Sequence, residues 1–311
     1  MKTIEMIVPC YNEEQCIEPF AEAIEKLFSS ELSGYEYLIT YINDGSLDSS
    51  LEKMKRLSVR NSKIQYISLS RNFGKEAAMA AGLENATGDY IVCIDADLQH
   101  PPTLIPQMLE AVEKEGYDCA TARRVSRKGE GKIKSFLSWG FYYVFNKVTS
   151  IKLAPGQTDF RLMKLKVAKA IMTLDERDRF TKGIYSWVGF NNKWIEYKNV
   201  ERVNGDSKWN IKSLLRYSYH SFLSFATTPL RGVIWLGMII VLADLFLAIK
   251  TYINAINHPE TLGSGFTTII LMIMFFGGVI ITILGMIGEY LARIYLEVKK
   301  RPIYIISEKN F

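Results

Sequence analysis

The strongest constraint on this chain is a pattern that recurs four times before residue 116. A short apolar run ends in a polar cluster and leads into a segment with helical spacing. Residues 4–8 read as a buried strand and 13–28 as a helix. The pairs 35–42 with 47–57, 63–69 with 75–85, and 89–94 with 101–115 follow in the same way. Strand and helix alternating at this interval predict an α/β fold with a mainly parallel, doubly wound sheet. In such a sheet ligands sit in the crevice at the carboxyl ends of the strands. The polar clusters 11–14, 43–48, 71–75 and 95–99 each follow a strand, so all four are expected at that one edge.

Beyond about residue 225 the character of the chain changes, and charges become scarce between Leu230 and Leu296. Residues 233–249 are apolar apart from Asp244, and 266–288 carry no charge. Each run is read as a membrane span. A lone Asp in lipid is costly, so Asp244 is expected to face the neighbouring helix or the far interface. Lys208, Lys212, Arg216 and Arg231 precede the first span, and Arg293, Lys299, Lys300 and Arg301 follow the second. The loop 254–265 has no Lys or Arg, so both ends of the chain are expected in the cytoplasm. Residues 133–148 and 214–225 are aromatic-rich stretches suited to a membrane interface. For 133–148 a core-facing helix fits the pattern equally well. The expected organisation is a catalytic domain at 1–210, a juxtamembrane amphipathic helix at 211–228, a two-helix anchor at 229–296 and a cytoplasmic tail at 297–311.

A net charge of +5 is too small to argue for nucleic acid, and the basic residues gather beside the apolar segments. The partner expected from charge is therefore a bilayer. Cys10, Cys16, Cys93 and Cys119 form no C-x-x-C pair and read as reduced, mostly buried thiols. Residues 1–10 read as a strand and not as a secretory leader.

The chemistry centres on Asp95-Ala96-Asp97-Leu98-Gln99, directly after the fourth strand. In extended chain Asp95, Asp97 and Gln99 would project to one side. Two carboxylates and an amide oxygen make a hard donor set suited to Mg²⁺ or Mn²⁺. Such an ion neutralises a leaving diphosphate. Tyr11, after Val8-Pro9-Cys10, can stack on a base, and Glu13 can accept from a base or ribose. Asp44 in Asn43-Asp44-Gly45-Ser46 can accept from the ring N–H of a uracil. Each cluster alone is also an ordinary strand-to-helix turn. No G-x-G-x-x-G and no Walker motif is present, which disfavours dinucleotide and P-loop readings.

Together these motifs resemble glycosyltransferase family 2, of GT-A fold, and within it the polyprenyl-phosphate sugar transferases. The resemblance rests on Val8-Pro9-Cys10-Tyr11-Asn12-Glu13-Glu14, Asn72-Phe73-Gly74-Lys75-Glu76, the stretch Asp95 to Pro101, and Ile287-Gly288-Glu289-Tyr290-Leu291-Ala292-Arg293 with Lys300-Arg301-Pro302. It implies that Pro9, Tyr11, Glu13 and Asp44 hold the nucleoside and that Lys75 contributes to substrate binding. It also implies that Asp95, Asp97 and Gln99 bind metal and diphosphate, with Asp95 and Asp97 counted as catalytic beside Asp159, the position of the family's base. The reaction implied is inverting transfer of one hexose from a nucleotide-sugar to a polyprenyl phosphate, most readily undecaprenyl phosphate. UDP-glucose is the first donor, with UDP-N-acetylglucosamine and GDP-mannose as alternatives. The acceptor phosphate is mostly dianionic at neutral pH, so Asp159 either removes a proton or orients the acceptor or sugar.

The acceptor needs cations near the bilayer. Arg127 and Arg179 are the first choices, and Lys182 and Lys208 further ones; Arg123, Lys132 and Lys134 lie in the same basic region. A homo-oligomer is expected, and no nucleic-acid partner. A processive polysaccharide synthase would carry Q-x-x-R-W and more spans. A non-catalytic scaffold would have lost acidic residues that this chain retains.

Overall fold

The structure, a computed structural model, describes residues 1–125, 132–149, 151–177, 179–197, 225, 228–257 and 265–311. These fall into two compact units, one formed by Met1–Ser224 with Pro302–Phe311 and the other by Phe225–Arg301.

The first unit opens with the expected alternation. Strand β1 (Lys2–Cys10), helix α1 (Ile17–Ser30), β2 (Tyr35–Asn43), α2 (Ser50–Arg60), β3 (Ile64–Leu69), α3 (Lys75–Asn85) and β4 (Tyr90–Cys93) follow in order. A 3₁₀ turn (Pro102–Leu104) leads into α4 (Ile105–Glu113). Then come β5 (Cys119–Arg124), α5 (Lys132–Val148), β6 (Gln157–Lys164), α6 (Leu165–Met172), α7 (Thr181–Trp187) and β7 (Asn192–Tyr197). The eight strands form one sheet in the order β7-β5-β6-β4-β1-β2-β3-β8, where β8 is Ile306–Lys309. β1 pairs parallel with β2 and β4, β2 with β3, and β5 with β7. β6 runs antiparallel to both β4 and β5. The α/β, mainly parallel architecture is therefore observed, with β6 inside the sheet and β8 at its edge running antiparallel to their neighbours.

β1 shows why the sheet is central. Ile4, Glu5, Met6, Ile7 and Val8 are all buried, as expected of a strand covered on both faces. The charge of Glu5 is matched within the fold. Its carboxylate accepts from the Thr40 hydroxyl at 2.7 Å and from the amides of Thr87 and Gly88 at 2.7 and 2.9 Å. α3 buries its small residues Ala77, Ala78, Ala80, Ala81 and Gly82, and it lies so close that a Cβ on Gly82 would meet Ile7 Cγ2 at 2.2 Å.

Two helices start later than their spacing predicts, and side-chain bonds explain the delay. The helix expected from residue 13 begins at Ile17. Asn12 takes a positive φ of 54°, the Glu13 amide donates to Ser50 Oγ at 2.9 Å, and the Glu14 amide donates to Asp48 Oδ2 at 3.2 Å. The same Asp48 accepts from the Ser50 amide at 3.0 Å, so α2 starts at Ser50 and not at 47. The basic stretch after Thr121 begins as strand, with β5 running through Arg124.

The expected separate tail at 297–311 is divided. Pro302–Phe311 belongs to the sheet unit, where β8 pairs antiparallel with β3. The Tyr66 amide donates to Asn310 Oδ1 at 2.7 Å, the Ser70 amide to the Ile305 carbonyl at 2.9 Å, and Ser307 Oγ to the Ser68 carbonyl at 3.0 Å. Without this strand β3 would be an open edge. Three such bonds at about 1 kcal/mol each correspond to a fall in Tm of roughly 5 °C or more on truncation after Arg301. Thermal unfolding of the detergent-solubilised protein followed by circular dichroism measures this. An unchanged midpoint would mean that the strand adds no stability.

The second unit consists of α8 (Thr228–Asn257) and α9 (Phe266–Val298). Among the described residues one run, Met272–Val298, is long and apolar enough to cross a membrane. Its Ile273, Phe275, Ile281 and Leu284 are exposed, which suits lipid as their solvent. The second expected span is thus matched by a helix of sufficient length. At the first expected span the apolar run Gly237–Leu247 is shorter, although α8 itself has 30 residues. The side chain of Asp244 and the expected helix at 211–228, save Phe225 and Thr228, lie outside the described residues.

Candidate active site

The expected gathering at the carboxyl edge is present, and the register explains it. Cys10 of β1 lies beside Asn43 of β2, so the loops that follow them start side by side. The Asn12 amide donates to Ser46 Oγ at 3.0 Å, and Asn12 Oδ1 accepts from the Leu47 amide at 2.8 Å. Asp44 reaches the third loop. Its two carboxylate oxygens accept from the Phe73 and Gly74 amides at 2.7 and 2.9 Å. Burial raises the Asp44 pKa, and these two amides oppose that only in part. Gly45 fits because its φ is +66° and a Cβ there would stand 2.4 Å from the Arg71 carbonyl carbon. Asp44 therefore pins the 71–74 loop that starts α3. Pro9, Tyr11 and Glu13 are half-buried beside it.

β4 and β6 bring the acidic groups together. They are antiparallel with Cys93 opposite Arg161. Asp95, two residues past Cys93, and Asp159, two residues before Arg161, therefore reach the same edge. Lys75, the first residue of α3, lies between them. Its Nζ is 2.6 Å from Asp95 Oδ1 and 3.2 Å from Asp159 Oδ2. Burial pulls the Lys75 pKa down, but the two carboxylates more than reverse this and hold it above the usual lysine range.

Burial raises the Asp159 pKa, yet Lys182, Lys75 and Arg161 together draw it below the usual carboxylate range. Arg161 is 4% exposed, its guanidinium carbon lies 3.2 Å from the centroid of the Tyr185 ring, and its Nη2 donates to the Thr158 carbonyl at 3.5 Å. Sequence reasoning gave Arg161 no role. The signal was available, because residues 159 and 161 of one strand share a face.

The Asp95–Gln99 motif is a turn and not extended chain. β4 ends at Cys93, and Leu98 takes a φ of 56°, so strand alternation does not set these side chains. The Gln99 amide donates to Asp97 Oδ1 at 3.1 Å. His100 Nδ1 is buried without a hydrogen-bond partner, 3.8 Å from Asp95 Oδ2. Burial lowers the His100 pKa, so the ring is neutral at physiological pH.

Among the described residues no three His, Cys, Asp or Glu side chains converge as a metal cage. The pair Asp95 and Asp97 fits a different kind of site. A hard cation commonly takes one or two carboxylates and completes its shell with substrate phosphates and water. That Asp95 binds the Lys75 ammonium is consistent with a preference for cations at this edge.

One expected phosphate ligand is placed elsewhere. Arg179 is 7% exposed, and its guanidinium donates to the carbonyls of Leu174 at 2.6 Å and Ile171 at 3.4 Å. These bonds tie it to the end of α6, and its Nε is buried without a hydrogen-bond partner. Arg123 donates to the Pro155 carbonyl at 3.1 Å and lies 3.7 Å from Glu196. Arg127 and Lys208, with the side chains of Lys132 and Lys134, lie outside the described residues.

A family profile described as Glycosyl transferase family 2 matches residues 5–172, more than half of the chain. CsbB of Bacillus subtilis (strain 168), provisionally named a glycosyltransferase, is 42% identical over 307 residues, covering 99% of this chain and 92% of that protein. A prophage bactoprenol glucosyl transferase homolog of Escherichia coli (strain K12) is 37% identical over 304 residues, covering 98% of each chain. The bactoprenol glucosyl transferase of Shigella phage SfII is 37% identical over 307 residues, covering 99% of this chain and 98% of its own. With its sheet, its acidic edge and these full-length similarities, the chain belongs to glycosyl transferase family 2 and is a glycosyltransferase.

Proposed function

We propose that this enzyme transfers one hexose, with inversion, from a nucleotide-sugar to a polyprenyl phosphate at the cytoplasmic face of a membrane. UDP-glucose is the first choice of donor and undecaprenyl phosphate of acceptor. The observation that carries the chemistry is the facing of Asp95 and Asp159 across Lys75 at one sheet edge. The lipid acceptor and the sugar are supported by the names of the full-length relatives. The apolar α9 supports a membrane setting. Two spans, cytoplasmic ends and an assembly of several copies belong to the same reading.

In this reading an acceptor phosphate oxygen attacks the anomeric carbon while the bond to the donor's diphosphate breaks, the electron pair leaving with the nucleoside diphosphate. Pro9, Tyr11 and Glu13 line the nucleoside site, and Asp44 holds its wall while keeping lone pairs for a base N–H. A bound Mg²⁺ or Mn²⁺, held by Asp95 and Asp97 with Gln99, supplies charge neutralisation for the departing diphosphate. Lys75 and Lys182 bring positive charge to the phosphates. Arg127 and Lys208 remain proposed ligands of the lipid phosphate. Asp159, kept ionised by its cations, orients the acceptor or sugar, because a dianionic phosphate monoester has no proton left to remove.

Purified protein in detergent, given undecaprenyl phosphate, Mg²⁺ or Mn²⁺ and labelled donor, tests the reading. Label is expected to enter the organic phase with UDP-glucose. Transfer only from UDP-N-acetylglucosamine or GDP-mannose would change the sugar and keep the reaction. No lipid product from any donor, despite nucleotide-sugar binding, would overturn it.

A further inference from the structure

Glu76 follows Lys75 in α3 and has no part in the chemistry above, yet it is built into the same site. It is half-buried, and its Oε2 accepts from the Thr181 amide at 3.1 Å and from the Thr181 hydroxyl. Thr181 is the first residue of α7, and Lys182, the next residue, is the cation that acts most strongly on Asp159. Two of the three cations around Asp159, Lys75 and Lys182, thus come from two helices, and the Glu76 carboxylate joins the starts of both. Nothing in packing requires a carboxylate here. A buried apolar contact would join the helices without the cost of desolvating an acid. A carboxylate that accepts two donors from one residue fixes the rotation of α7 as well as its distance, and so fixes where Lys182 stands.

We infer that Glu76 is a positioning residue, which fastens α7 to α3 and so holds Lys182 opposite Lys75 around Asp159. The inference rests on the proposed transfer for its kinetic arm and is independent of it for its structural arm. The groups facing Glu76 are Thr181, Lys75, Lys182 and Asp159. Burial first, and then Asp159, push its pKa up to about 7, against the Thr181 amide and the two lysines. The ionised form accepts both Thr181 donors, so the clamp is complete above that pH and loosens below it.

Two measurements on the full chain in detergent test this. The first is amide hydrogen exchange in the segment 181–187 without substrate, for the wild type and for Glu76→Gln. Exchange about 10-fold faster in the variant is expected. The second is the pH profile of kcat, with KM for the donor. The variant is expected to lose about 10-fold in kcat with donor KM within about 2-fold, and to lack the acid limb near pH 7. A limb from the acceptor phosphate near pH 6 would remain. Unchanged exchange overturns the inference, as does faster exchange with an unaltered kcat and pH profile. If the wild type transfers no sugar, the exchange result still decides the clamp, and only the proposed reaction fails. Should Glu76→Gln not fold, Thr181→Val removes the hydroxyl from the other side and is expected to show the same two changes.

Discussion

Asp95→Ala and Asp97→Ala are each expected to lower kcat/KM for sugar transfer by about 10³-fold or more. A departing diphosphate develops charge that must be neutralised within the site, and a loss of about 4 kcal/mol of that stabilisation is a thousandfold in rate. The two variants should differ in a second respect. Asp95 also binds Lys75 at 2.6 Å, so its removal leaves the ammonium with Asp159 alone. Asp97 has no such tie to Lys75, and its variant should affect metal dependence with less disturbance of Asp159. Label transfer across a range of Mn²⁺ concentrations, with thermal unfolding as a control for the fold, measures both. Retention of more than a tenth of the activity in Asp97→Ala would exclude this carboxylate from the proposed metal site.

Asp159→Asn is expected to lower kcat by about 10²-fold while leaving donor binding nearly intact. The amide keeps the shape but removes the charge that faces Lys75, Lys182 and Arg161. The pH behaviour separates orientation from base catalysis. Burial raises the Asp159 pKa, but Lys182, Lys75 and Arg161 lower it further, to a net value below the ordinary carboxylate range. A depressed folded-state pKa gives a stabilising contribution that is fully present above the unfolded value of about 3.9 and is lost only as pH falls toward the folded one. Between about pH 5 and 8 neither the stability nor the rate should follow Asp159 titration. A wild-type acid limb in that window that vanishes in Asp159→Asn but persists in Glu76→Gln would assign the proton transfer to Asp159 after all.

Much of the site was legible in advance because a parallel sheet imposes one rule on all its loops. Each strand that runs the same way delivers its following residues to the same edge. Asn12, Asp44, Lys75 and Asp95 could therefore be placed together from strand order alone. The second half of the sheet obeyed no such rule. β5, β6, β7 and β8 follow one another at unequal intervals and run in mixed directions, so no periodic signal announced their pairing. Asp159 was singled out by a motif, but only the β4–β6 register shows why it faces Asp95. Arg179 shows the opposite failure. A basic residue in the run Arg179-Phe180-Thr181-Lys182-Gly183 reads as a phosphate ligand, whereas here carbonyls at the end of α6 take up its guanidinium.

The alternation of the first four strands and helices, the acidic motif at the fourth, and the long uncharged stretch near the C-terminus are all readable in the residues alone. These are properties of local spacing and composition, which act over one element at a time. Long-range packing alone makes Lys75 bridge two aspartates, brings Lys182 to Asp159, ties α3 to α7 through Glu76, and closes the sheet beside β3 with Pro302–Phe311. Each of these is a contact between residues far apart in the chain. Its energy depends on distance and burial, and spacing along the sequence encodes neither.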